Sequence, residues 1–287
     1  MENPLRYETF KSENPTISST YSKNAEELVE SMSWEEGDII MDYGCGSGQF
    51  MTEYLFPKIP NPRCICGVDI SPNMIRFAYE NCKNKENIYF AIGDIMDKYQ
   101  WTFKEKMVSK FVAYLVLCYV QDYRGFISKV YDFLKPGGQV GMLVPFSKAY
   151  GIPHQLLSQE KWAQYAEKKE LTNHSSFAPW TYAEDIDAPS SIKDSLLSCG
   201  FRIDRFTVND IKLEFPSIRN LCEFLCTITS ALSTVPEKFH DDFMEEMIDY
   251  VTSNLGSSRG VTTHPGDNNS SVISVEWKFL NFVATKP

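Results

Sequence analysis

The chain has 287 residues, 43% of them hydrophobic, and a formal net charge of −10; that length suits one large α/β domain with insertions or two small domains. The acidic balance argues against a surface built to hold a nucleic-acid backbone, which needs clustered Lys and Arg. No apolar run reaches the ~18 residues of a membrane-spanning helix, and the polar, mixed-charge start MENPLRYETFKSENP is unlike a signal peptide, so a cytoplasmic protein is expected.

Residues 16–32 are predicted to form a helix, with Ile17, Tyr21, Ala25, Leu28, Val29 and Met32 on one face. A short buried strand, Asp38 to Asp42, runs into a glycine loop, and a helix from about Gln49 to Leu55 is stopped by Pro57. RCICGVDIS reads as a second strand. Ser71-Pro72 opens a helix with Ser as its N-cap and an inner stripe of Met74, Ile75, Ala78 and Tyr79. NIYFAIGDI is a third strand, and VSKFVAYLVLCYV a fourth, apolar on both faces as a central parallel strand requires. RGFISKVYDFLKPGGQVGMLVPF supplies a helix, a Pro-Gly-Gly turn and a fifth strand.

After Phe146 the alternation breaks. Residues 148–189, with Trp162, Tyr165, Trp180 and Tyr182, read as an inserted cap. SSIKDSLLSCG resumes the pattern as a helix ended by Cys199-Gly200, and FRIDRFTV is a sixth strand. Two helices follow, one carrying Ile218, Leu221, Cys222, Leu225, Ile228 and Leu232, the other Phe239, Phe243, Met247, Val251 and Leu255. HPGDNNS is a turn, and SVISVEWKFLNFVAT a final alternating strand. Alternating strands and helices give a mostly parallel sheet with helices on both faces. The expected organisation is a single domain over residues 1–287, with the 148–189 cap and a second helical insertion at 216–256.

The eight cysteines form no disulfide framework. Cys64 with Cys66 and Cys222 with Cys226 have the spacing of one strand face and one helix face. Neither pair has a His at zinc spacing, so buried free thiols and no metal are expected. The sequons at Asn173 and Asn269 are expected to be idle. His154 opens the cap near the expected cofactor mouth, whereas His174, His240 and His264 fall in loop-like or exposed contexts.

The loop MDYGCGSGQF discriminates among ligands. A phosphate loop ends in Gly-Lys-Ser/Thr, but Gly48 is followed by Gln49. A dinucleotide fingerprint is Gly-x-Gly-x-x-Gly, whereas here the third glycine arrives one residue early, as Gly44-x-Gly46-x-Gly48. Asp42, two residues before the first glycine, disfavours phosphate and suits a ligand with an ammonium group. S-adenosylmethionine is such a ligand, bearing an amine, a carboxylate, a sulfonium and a ribose. Its carboxylate suits the helix start after the loop, its ribose hydroxyls suit Asp69 at the end of the second strand, and its adenine amine suits Asp94 after the third. All three acids sit at carboxyl ends of adjacent strands, where open α/β sheets bind ligands.

The glycine loop, these acids and the turn LKPGG resemble the class I methyltransferases. That resemblance implies a Rossmann-like fold with a seven-stranded, mostly parallel sheet and helical cap insertions. It also implies cofactor contacts from Asp42, Gly44, Cys45, Gly46, Asp69, Ile70, Met74, Asp94 and Ile95. Over most of its length, through SWEEGDIIMDYGCGSG, GVDISPNMIRFA, SQEKWAQY, IKDSLLSCGFRI and PEKFHDDFMEEMIDYV, the chain is similar to the arthropod juvenile hormone acid methyltransferases. That family methylates the carboxylate of farnesoic acid or its epoxide, so the resemblance implies a small-molecule acid partner and no nucleic acid or membrane. A carboxylate is ionised at neutral pH and needs no general base. The family holds it with a Gln in the N-terminal helix and a Trp after the fourth strand. In this chain those positions are Ile17 and Tyr119, leaving Tyr119 and Tyr21 as candidate proton donors and Trp162 and Trp180 as candidate pocket walls. Methylation of another small molecule, or a weakly catalytic binding role in the same fold, stay open at this point.

Overall fold

The computed structural model describes residues 9, 14–97, 107–166, 178–181, 186–255, 261–265 and 271–287; Asn173, His174, Tyr182 and Asn269 lie outside them. Helix α1 (Pro15–Glu30) buries the expected face, with Ile17, Tyr21, Ala25, Leu28 and Val29 joined by Asn24. Strands β1 (Ile39–Tyr43), β2 (Cys64–Asp69), β3 (Ile88–Ile92), β4 (Val108–Tyr114) and β5 (Leu134–Phe146) are parallel. β6 (Arg202–Phe215) lies at the far edge, with β8 (Ser271–Thr285) antiparallel between it and β5. The order is β3-β2-β1-β4-β5-β8-β6. The chain therefore moves outward from β1 in one direction and then, from β4, in the other. The crevice opens where that order reverses, beyond the carboxyl ends of β1 and β4.

Local chemistry sets the helix ends. Helix α2 (Pro72–Cys82) starts as expected, with the Ser71 hydroxyl accepting from the Met74 amide. Asp122 caps α3 (Tyr123–Phe133) by accepting from Gly125. Helices α4 (Gly151–Leu157) and α5 (Glu160–Ala166) follow β5, and α6 (Ala188–Cys199) ends on Gly200 at a φ of 94°. Helices α7 (Ile218–Thr229) and α8 (His240–Ser253) follow β6 in the chain and pack on each other.

Side chains alternate across the strands and divide the interior into two clusters. Ile40, Val112, Leu143, Trp277, Phe279 and Val283 meet α1, α4, α7 and α8 on one face. Met41, Phe111, Ala113, Met142, Val144 and Phe282 meet α3 and α6 on the other.

Four local expectations are corrected. The fourth strand ends at Tyr114, because Leu115 turns to a φ of 62° and the chain passes into a 3-10 turn at Leu117–Tyr119. The stretch read as a turn before the last strand begins inside an eighth strand, β7 (Val261–Pro265), paired to β8. Tyr79 leaves the inner stripe of α2 and is 57% exposed, with Cys82 taking the buried position one turn on. His240 starts α8 half-buried, with Nε2 2.9 Å from the Val235 carbonyl oxygen. All eight cysteines are free, and among the described residues no cluster suited to a metal ion occurs.

Candidate active site

The loop after β1 is held in a shape that its glycines alone permit. Gly44, Gly46 and Gly48 have φ values of 71°, 53° and 79°, a region that L-residues with a β-carbon seldom adopt. Gly44 is also fixed by a close approach, since a β-carbon there would stand 2.3 Å from Val116 Cγ2. Gly46 differs, because a β-carbon there would meet nothing within 4 Å. The backbone at Gly46 thus faces open space that a ligand can enter. The amides of Gly44 and Cys45 donate to the Val68 carbonyl at 2.6 and 3.0 Å, tying the loop to the end of β2.

The acids converge on that space. Asp69 accepts from the Gly46 and Ser71 amides, each at 2.9 Å, which aims its carboxylate across the loop. Burial raises its pKa, opposed by those amide hydrogen bonds. Asp94 accepts from the Met96 amide at 2.9 Å and the Tyr43 hydroxyl at 2.8 Å. Asp42 is 1% exposed, and its Oδ2 has no hydrogen-bond partner among the described residues. Burial, and then the charge of Asp69, push its carboxyl up to about 8. A buried carboxyl without a partner is costly as an anion and becomes favourable once a cation arrives. This donor set fits a ligand with an ammonium group, hydroxyls and no phosphate. Cys45, Ile70 and Ile95 follow these acids closely in the chain and Met74 lies in the first turn of α2, with Met74 and Ile95 each 2% exposed and Cys45 6%. Burial and then the Asp42 charge hold the Cys45 thiol well above its usual range, so it stays protonated.

Beyond β4, a second group of side chains assembles on the α1 face. Ile17 is fully buried, and Tyr21 makes an edge contact with Phe279 at 5.9 Å. The Tyr114 hydroxyl donates to the Tyr21 carbonyl at 2.8 Å, and its ring stacks on Phe50 at 4.5 Å. The Tyr119 hydroxyl donates to the Ile228 carbonyl at 2.9 Å, joining the turn after β4 to α7. Two residues absent from the sequence reading complete the group. Tyr150 is buried in the turn after β5, close to Cys118, Tyr21 and Tyr119. Trp277 of β8 lies against it, with ring centroids 5.0 Å apart. The alternation Ile273, Val275, Trp277, Phe279 already placed Trp277 on one strand face, but nothing local indicated what that face covers.

The two tryptophans expected to share a pocket are not brought together. Trp162 packs on Phe243 and donates from Nε1 to Glu246 at 2.6 Å, within the α1-face cluster. Trp180 packs on Tyr123, within the cluster on the opposite face of the sheet.

Residues 40–138 match the methyltransferase domain family. The juvenile hormone acid O-methyltransferase of Drosophila melanogaster is 23% identical over 263 residues, covering 89% of this chain and 82% of that protein. Among solved structures, the YcgJ protein of Bacillus subtilis superposes with a TM-score of 0.62 at 12% identity, over 93% of this chain and 99% of the other. The geranyl diphosphate C-methyltransferase of Streptomyces coelicolor A3(2), solved with S-adenosyl-L-homocysteine, gives 0.50 at 15%, over 93% and 80%. The fold is that of the Rossmann-like class I methyltransferases.

Proposed function

We propose that this class I, S-adenosylmethionine-dependent methyltransferase esterifies the carboxylate of a lipophilic small molecule of the sesquiterpenoid-acid kind. The acceptor half of the site carries the reading: around Ile17, Tyr21, Tyr119 and Tyr150 it is built from apolar and phenolic side chains. Such a lining suits an isoprenoid chain and offers neutral hydrogen-bond donors to an acid that is already ionised. The similarity to the Drosophila enzyme over 89% of the chain supports the same acceptor class.

In this reading Asp42 receives the cofactor's ammonium group, the backbone of Gly44, Cys45 and Gly46 its carboxylate end, Asp69 its ribose hydroxyls and Asp94 its adenine amine. Ile70, Met74 and Ile95 pack around the base. When bound, the cofactor supplies an electrophilic methyl group, so an acceptor oxygen gains a carbon bond as the sulfur loses one and no proton moves. The remaining work of the chain is orientation and exclusion of water. Ile17, Tyr21 and Tyr119 wall the acceptor space, and the Tyr119 bond to Ile228 keeps α7 closed over it. Trp162 backs this wall from α5, and Trp180 supports the turn after β4 from the opposite side.

The deciding experiment incubates the protein with S-adenosylmethionine and a panel of farnesoic acid, shorter acids, phenols and amines, with products read by mass spectrometry. Methyl esters of the lipophilic acids are expected. A panel in which only a phenol or an amine is methylated would refute the carboxylate reading.

A further inference from the structure

The face formed by β8 and the turn after β5 holds an unmatched donor. Trp277 is 1% exposed, and its indole N–H has no acceptor among the described residues. A buried donor without an acceptor is rare in folded proteins and destabilising. Beside it Tyr150 is 3% exposed, and its hydroxyl is a neutral donor close to the Cys118 thiol, a weaker acceptor than a carboxylate oxygen. The two rings are fixed relative to each other from below. Ser147 donates from Oγ to the Glu276 carbonyl at 2.8 Å and accepts from the Ala149 amide at 3.2 Å. The turn that carries Tyr150 is thereby tied to the β8 backbone one residue before Trp277. Phe224 of α7 packs on the other side of Trp277, at 5.8 Å between ring centroids.

Ile17 offers no donor, and the Tyr119 proton is given to a backbone carbonyl. We propose that the indole N–H of Trp277 and the hydroxyl of Tyr150 form the two-donor seat for the acceptor carboxylate. This rests on the carboxyl-methylation reading and names the groups that orient the attacking oxygen. Two neutral donors hold one carboxylate oxygen each through lone pairs that the methyl group does not use. The charge of the acid is balanced by the cofactor's sulfonium, so the seat needs no Lys or Arg.

The test uses the full chain and farnesoic acid as probe. Tyr150→Phe removes one hydroxyl without changing shape and Trp277→Phe removes the indole N–H. Each is expected to lower kcat/KM for the acid by about 10- to 100-fold, the worth of one hydrogen bond to a charged acceptor, with the affinity for S-adenosylhomocysteine unchanged. Trp277 is large and buried, so a second measurement on the unmodified chain guards against a folding defect. With 15N-labelled tryptophan, the Trp277 indole signal is expected to shift downfield when farnesoic acid is added to the S-adenosylmethionine-analogue complex, and not when the neutral methyl ester is added. Acid turnover within twofold of wild type for Tyr150→Phe, together with an indole signal indifferent to the acid, overturns the seat while the esterification reading stands. A wild-type chain that methylates no carboxylic acid overturns both.

Discussion

With Asp42 as the proposed seat of the cofactor's ammonium group, cofactor binding is expected to be a proton-linked event. Its carboxyl is pushed up to about 8 in the free protein, mainly by burial and then by the charge of Asp69. At pH 7 it is therefore mostly protonated until a cation reaches it. The gap from the ordinary 3.8 to about 8, at ~1.4 kcal/mol per pH unit, sets a ceiling of roughly 6 kcal/mol on the cost of its charge. An arriving ammonium group reverses that cost, so binding expels the proton. Between pH 6 and 8 the Kd for S-adenosylhomocysteine is expected to fall about tenfold per pH unit, while the carboxylate is ionised in the complex. Above pH ~8 the ligand's own amine begins to lose its proton and affinity declines again. Titration calorimetry in two buffers of different ionisation enthalpy reads both the Kd and the proton count. Release of close to one proton at pH 7 is expected for wild type and none for Asp42→Asn, whose acid limb is flat. Stability moves with the opposite sign. The folded state holds an extra proton between 3.8 and about 8, so this contribution is complete at low pH and is lost as pH rises toward the folded value. Asp42→Asn should then melt higher than wild type near pH 8 in the absence of cofactor. Equal pH slopes and equal proton release in the two proteins would refute this account of Asp42.

The glycines should separate folding from binding. Gly44→Ala puts a β-carbon 2.3 Å from Val116 Cγ2 at a φ of 71°, so a stability loss above ~2 kcal/mol is expected in urea titrations. Gly46→Ala meets no atom of the chain and should lose only about 1 kcal/mol, while its methyl group occupies ligand space and weakens cofactor binding by tenfold or more. Asp69→Ala removes the carboxylate that orients the Gly46 and Ser71 amides; cofactor affinity measured by calorimetry should drop by at least tenfold with the acceptor KM little changed. Tyr119→Phe deletes the bond to Ile228, which is expected to lower stability by about 1 kcal/mol and to reduce turnover through a looser α7, a result that thermal melts and kcat measured together will check.

The esterification reading and the glycine-loop reading stand on different parts of the chain. The proposed donor half comprises one short loop and three acids at neighbouring strand ends, within residues 40–138, which match the methyltransferase domain family. The acceptor half draws on α1, the turns after β4 and β5, α7 and β8, which are far apart in sequence. Substitution of Ile17 and Tyr119 for the donors of the resembled family is accommodated there by relocating the donors to Tyr150 and Trp277 within the proposal above.

Much of the molecule was determined by the sequence itself. Apolar periodicity located α1 and every strand of the sheet except β7, because burial on one face repeats with the period of the element. The Ser71 cap and the Gly200 helix end were legible for the same local reason. The glycine loop was legible because its spacing is contiguous in sequence, and the three acids because each sits at the end of a strand that the apolar pattern located. The left-handed turn at Leu115, the exposure of Tyr79 and the separation of Trp162 from Trp180 by the sheet were decided only by tertiary structure. So were the Tyr119 bond to a carbonyl 109 residues away and the indole of Trp277, left without an acceptor among the described residues. A side chain's period says which way it faces, but its partner comes from an element placed by the packing of the whole sheet, and hydrogen bonds between such elements leave no periodic trace in the chain.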